Sequence, residues 1–98
     1  MYYTNAVRFT WDPRKAASNA RKHSVTFAEA VTIFADPLAR IVEDAIHVDR
    51  SLIIGESASR RILVTVYVER SEHEIRIVSA RRASPAERRI YETGEEEA

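Results

Sequence analysis

A chain of 98 residues with 45% apolar and 31% charged side chains is sized for one core, and its aliphatic and aromatic content excludes a wholly disordered protein. Cysteine is absent, which removes disulfides, thiolate zinc sites and thiol catalysis and suits a reducing compartment. Charges cancel at fifteen against fifteen, but residues 92–98 hold four Glu and no base, so residues 1–91 carry fifteen bases against eleven acids. Thirteen of those bases are Arg, whose forked guanidinium grips phosphate and carboxylate.

No apolar run nears the roughly 18 residues of a membrane span, and the first segment lacks a signal-peptide pattern, so a cytoplasmic protein is expected. Without repeats or a linker, the reading is one domain over residues 1–98 with an acidic tail fraying from about residue 92.

Alternation of Val7, Phe9 and Trp11 with Arg8 and Thr10 predicts a short strand. Asp12-Pro13 then starts a helix to His23, with Ala16, Ala17 and Ala20 inward. Thr26 and Glu29 form a capping box for a second helix that carries Phe27, Ala30, Val31 and Phe34 and stops at Asp36-Pro37. Strands follow at Leu38–Glu43, Arg50–Ser57, Arg61–Glu69 and Glu74–Ala80, and Ser84 and Glu87 cap a last helix. The order β-α-α-β-β-β-β-α describes an α+β domain around an antiparallel meander, with two N-terminal helices and one C-terminal helix.

Period-two alternation assigns Ile62, Val64, Val66 and Val68 to the core. Arg61, Tyr67, Glu69 and Arg76 then share an exposed face, with Arg81 and Arg82 where the strand runs out and Arg88 and Arg89 on the helix beyond. The same pattern suits a solvated face stitched by cross-strand ion pairs. His23, His47 and His73 show no metal-ligand spacing, and two glycines leave no phosphate-cradling loop, so neither metal nor cofactor is expected. Trp11 reads as a core residue rather than a stacking platform.

The stretches Phe9–Pro13 (FTWDP), Arg21–Ala30 (RKHSVTFAEA), Ile54–Ser57 (IGES), Arg61–Arg70 (RILVTVYVER) and Ile75–Ser84 (IRIVSARRAS), with Glu87-Arg88 and Tyr91-Glu92, closely resemble the BrnT family. The resemblance runs from about Val7 to Glu92. It implies a small ribonuclease of RelE-like fold, the toxin of a type II toxin–antitoxin module, paired with a ribbon-helix-helix antitoxin of the BrnA kind. Ser24 stands where the family usually has Gly, Ala58-Ser59-Arg60 lacks the usual turn glycine, and Asp49 replaces a more common Glu.

On that implication, RNA is cut without metal by its own 2′-hydroxyl, and preorganised cations stabilise the phosphorane. Arg61, Arg81 and Arg82 are assigned to the phosphate, with Lys22 from the end of the first helix. His23, the side-chain type that ordinarily titrates near neutral pH, and Glu69 are assigned to proton transfer. Tyr67, Arg76, Arg50 and Tyr91 are assigned to substrate binding, Tyr91 being equally suited to holding the final helix. The antitoxin is expected to cover the cationic face with acidic side chains, and operator DNA to be bound only through the antitoxin. The alternative is a non-catalytic protein that receives an acidic partner as co-repressor. A general RNA-binding module fits less well, because no aromatic pair interleaves the arginines.

Overall fold

The structure, a computed structural model, describes residues 2–4 and 6–95. Its elements are β1 (Tyr2–Thr4), β2 (Val7–Thr10), α1 (Pro13–His23), α2 (Phe27–Thr32) continuing into a 3-10 turn (Ile33–Ala35), β3 (Arg40–Glu43), β4 (Ser51–Glu56), β5 (Ile62–Ser71), β6 (Glu74–Arg82) and α3 (Pro85–Thr93). The strands form one sheet in the order β1-β2-β6-β5-β4-β3.

The antiparallel meander is present in β3 to β6, but the sheet as a whole is mixed, because β2 lies parallel to β6. The chain leaves β2 through α1 and α2, enters the sheet at its far edge as β3, and three antiparallel connections bring β6 back beside β2 in the same direction. β3 begins at Arg40 rather than Leu38, since Asp36 holds a turn by accepting from the Leu38 amide (2.9 Å). α3 stays helical through Thr93 and ends on Gly94 in the left-handed region (φ 76°), which shortens the expected frayed tail; residues 96–98 of that tail lie outside the described residues.

Helix starts follow the local chemistry. Asp12 accepts from the Arg14 amide (2.8 Å) and Thr26 Oγ1 from the Glu29 amide (3.0 Å). Ser84 and Glu87 close a full capping box. The Thr26 box is only half made, because the Glu29 carboxylate is engaged elsewhere. On α1 the buried residue is Asn19, while Ala17 is exposed. Asn19 donates to the carbonyls of Val25 (3.0 Å) and Ala80 (2.7 Å) and accepts from the Ala80 amide (3.1 Å), which fastens α1 to β6 without an orphaned polar group.

The face assignment of β5 is reversed in the structure. Leu63, Thr65 and Tyr67 point at α1 and α2 and are buried with Phe9, Val25, Phe27, Ile33 and Ile77. Phe34 packs edge-on against Tyr67 (ring centroids 5.1 Å) and tilted against Phe9 (5.0 Å), and Trp11 packs against Phe27 (5.9 Å), a core role as expected. The aliphatic row takes the opposite face, where Val64 and its β4 partner Ile54 are buried but Ile62, Val66 and Val68 are only half-buried. Tyr67 is therefore a core residue and not part of an exposed cationic face. Its hydroxyl is pushed up from its ordinary value by burial, with the Glu69 charge adding to the effect.

Candidate functional site

β6 runs two residues further than its aliphatic pattern suggests, to Arg82. Arg81 and Arg82 are thus strand residues, opposite Val64 and Leu63 respectively, and period two sends them to opposite faces. Arg81 lies on the α3 side and makes a bidentate pair with Glu87 (2.6 and 2.8 Å). The Arg81 hydrogen bonds, helped by the Ser84 amide, hold the Glu87 carboxyl down at about 2 against the opposing effect of burial. Arg81 therefore anchors α3 and is not in one cluster with Arg61 and Arg82.

Arg82 lies on the helix side, beside the loop that joins β4 to β5. That loop is a tight turn in which the Ser57 amide donates to the Arg61 carbonyl (2.8 Å) and the Arg60 amide to the Ser57 carbonyl (2.9 Å). The turn forces Arg60 into the left-handed region (φ 66°), and Ser24 adopts it as well (φ 56°). Both lie where the sequence resemblance leads one to expect glycine, the residue that takes this conformation most easily.

Arg61 is held from three directions. Its Nε donates to Glu29 Oε2 (2.9 Å), one Nη donates to Glu29 Oε1, and the same Nη donates to the Ser24 carbonyl (3.0 Å). Ser57 Oγ donates to Glu29 Oε2 (2.7 Å), so the carboxylate is saturated. The Arg61 hydrogen bonds keep Glu29 below its ordinary value against burial, with Ser57 and the Arg61 and Arg82 charges helping. Glu29 raises Arg61 in return.

Around this locked pair opens a cleft of about 530 Å³, lined by Glu56, Arg60, Arg61, Ile62, Arg82, Ala83 and Arg88. Four guanidinium groups and one carboxylate face one space. No ion pair joins Arg60, Arg82 or Arg88 to another described residue. Glu56, Arg60, Arg88 and the clamp Glu29 were missed as site residues. The consecutive Arg60-Arg61 at the start of the strongest strand was the available signal for the first pair.

The other expected site residues lie elsewhere. Lys22 and His23 are exposed and line a separate groove of about 200 Å³ with Lys15, Ser18, Asn19, Val78 and Ser79. Arg50, Glu69 and Arg76 sit at the far ends of β4, β5 and β6, on the order of 20 Å of strand from the cleft. Arg76 also faces the α3 side, opposite Val68, so it does not share a face with Arg61. Tyr91 donates its hydroxyl to Asp36 Oδ2 (2.7 Å) and is pushed up to about 12, by burial first and by the Asp36 bond and charge second; it ties α3 to the turn before β3. Among the described residues, no group of three or more His, Asp or Glu could hold a metal ion.

The fold is thus a mixed sheet with two helices on one face and a cationic cleft at one end. A model of the family described as the ribonuclease toxin, BrnT, of type II toxin–antitoxin systems matches residues 11–87, and the chain belongs to that family. The crystal structure of the Brucella abortus ribonuclease toxin BrnT is similar in fold, with a TM-score of 0.67 and 24% identity over 80% of this chain and 97% of that one. Comparison with curated proteins returned no match.

Proposed function

We propose that this protein is a metal-independent endoribonuclease, the toxin of a type II pair, and that the cleft lined by Arg60, Arg61, Arg82 and Arg88 is where RNA is cut. The observation that carries this reading is the cleft itself, four guanidinium groups converging with a single carboxylate, Glu56. Cleavage by the substrate's 2′-hydroxyl needs two proton transfers and stabilisation of the charge developing on phosphorus. Arg60, Arg82 and Arg88 supply unpaired donors for the phosphate oxygens. Arg61, fixed by Glu29, supplies a donor whose orientation costs nothing at the moment of reaction. Glu56 is the group assigned to take the 2′-proton. The departing 5′-oxygen takes its proton from water in the open cleft, since His23 lines the neighbouring groove and not the cleft.

The mixed sheet with helices on one face is in keeping with the RelE-like arrangement that the family resemblance implies. A ribbon-helix-helix antitoxin would neutralise the toxin by bringing carboxylates into the cleft, since guanidinium groups buried without partners would be costly. Operator DNA would be bound by the antitoxin alone, and cellular RNA as substrate sets the cytoplasm as the working compartment. The test is cleavage by the purified chain in EDTA, with DNA as control and product ends analysed. RNA should be cut and DNA spared, leaving 2′,3′-cyclic phosphate or the derived 3′-phosphate. Arg82→Gln should lower the rate by about a hundredfold or more while melting with wild type. Strict Mg²⁺ dependence or equal cleavage of DNA overturns the mechanism, and folded but inert wild-type protein supports the non-catalytic alternative.

A further inference from the structure

We infer that the outer face of α1 is a phosphate track that carries single-stranded RNA away from the cleft; the inference rests on the ribonuclease reading of that cleft. α1 contains Arg14, Lys15, Arg21 and Lys22 and no acidic residue. At about 100° per residue these four cations fall within an arc of about 120°, with Ser18 between them and Ala16 and Ala20 on the inner side. They span nine residues, whose eight steps rise about 12 Å along the helix. All four are exposed, and none has an ion-pair partner among the described residues. The nearest acid, Asp12, is occupied as N-cap, and Glu29 at the other end is saturated by Arg61 and Ser57.

Helix stability does not explain the pattern. Arg21 and Lys22 in the last turn suit the helix dipole, but Arg14 and Lys15 in the first turn oppose it, where acids are preferred. Four like charges on one face also repel one another unless a polyanion covers them.

Two observations select RNA as the occupant over an acidic protein. The face carries no large apolar side chain, whereas the centre of a protein interface is apolar and poor in lysine. Lys15 and Lys22, the only lysines of the chain, both stand here. The track also joins the cleft, because Ser24, which caps α1, gives its carbonyl to Arg61 (3.0 Å). Beside the Lys15–Lys22 row runs the groove of about 200 Å³ floored by Val78 and Ser79, with Asn19 and His23 on its wall and no carboxylate in its lining.

The test is the triple variant Arg14→Gln, Lys15→Gln, Arg21→Gln, which leaves the proposed catalytic groups and Lys22 intact. Affinity for a 2′-O-methyl RNA strand long enough to cover cleft and helix is measured by fluorescence anisotropy between about 50 and 200 mM salt. Cleavage of a ribodinucleotide, which spans the cleft alone, is measured in parallel. The variant should bind the long strand about tenfold more weakly, and its slope of log affinity against log salt should fall by about 2, at about 0.7 per lost phosphate contact. Its dinucleotide cleavage should match wild type. Unchanged affinity and slope overturn the inference. So does unchanged RNA binding with lost affinity for poly-glutamate, which would assign the face to an acidic protein. Wild type that cuts no dinucleotide, with the variant still weakened on the long strand, refutes the ribonuclease reading and leaves the track standing.

Discussion

Glu29 offers the sharpest separation of architecture from chemistry, because it touches Arg61 but does not line the cleft. Glu29→Gln keeps shape and volume while removing the charge that fixes Arg61 and accepts from Ser57 Oγ. The two side chains are 14% and 24% exposed, Glu29 and Arg61 respectively, so the loss lies between a surface pair, at most about 1 kcal/mol, and a fully buried one, about 3–5 kcal/mol. We expect about 2 kcal/mol, or a fall in Tm of roughly 8–16 °C for a domain of this size. The pH dependence carries its own signature. Glu29 titrates below its ordinary value of 4.5, so its contribution is complete above that value and disappears as pH falls through the lower, folded one. The stability gap between wild type and variant, read by urea denaturation, should be constant near neutral pH and should narrow on acidification below about 4.5. Cleavage should fall as well, in kcat rather than KM, because the cleft keeps its four cations but Arg61 loses its fixed orientation. A gap under about 0.5 kcal/mol, or one that is the same at acid and neutral pH, refutes the clamp.

Ser24→Gly and Arg60→Gly relieve left-handed backbone that costs an L-residue about 1–2 kcal/mol, less the extra unfolded freedom of glycine, so each should gain about 0.5–1 kcal/mol in denaturant melts. Only Arg60→Gly should lose cleavage, since it also removes a cleft cation; destabilisation by both would show that the strain is relieved by their neighbours. Tyr91→Phe should cost about 1–2 kcal/mol at neutral pH through the lost Asp36 bond. Because Tyr91 is raised to about 12 from 10, that contribution is complete below about 10 and is lost as pH rises through 12, so a gap that does not shrink in alkali contradicts the latch. Thr65 Oγ1 is buried without a partner among the described residues, so Thr65→Val should stabilise by about 1 kcal/mol, and a destabilised variant would reveal a hydrogen bond there.

Local chemistry made the helices readable: Asp12-Pro13, Thr26 and Ser84 each open a helix within a residue of where it begins. The strands were readable as segments but not as faces. β5 is apolar on both sides, because α1 and α2 cover one face and α3 part of the other, so alternation alone could not orient it. Tyr67 then misled twice, its ring belonging to the core while its hydroxyl suggested a surface. A bulge opposite Val66 and Tyr67 adds Val78 to β6 and shifts the phase, which places Ile77 and Ala80 on the same face although they are three residues apart. No period-two reading carries through such an insertion. The parallel pairing of β2 with β6 was equally hidden, being set by how the meander returns and not by either strand's own residues.

The arginines explain why the site was only half legible. Arg60-Arg61 and Arg81-Arg82 look alike in sequence, two adjacent guanidinium groups near a strand end. In each pair the fold locks one member and frees the other. Arg61 meets Glu29 and Arg81 meets Glu87, both carboxylates from helix starts whose amides Thr26 and Ser84 cap. Arg60 and Arg82 are left facing the cleft. The locked arginines draw their partners from residues 32 and six positions away, so no local pattern could say which member of a pair would be spent on structure. That division also gives the cleft its character. A cluster of wholly free arginines would repel and scatter, whereas two fixed to carboxylates hold the β5 start, the β6 end and α3 in place around the ones left free to meet an anion.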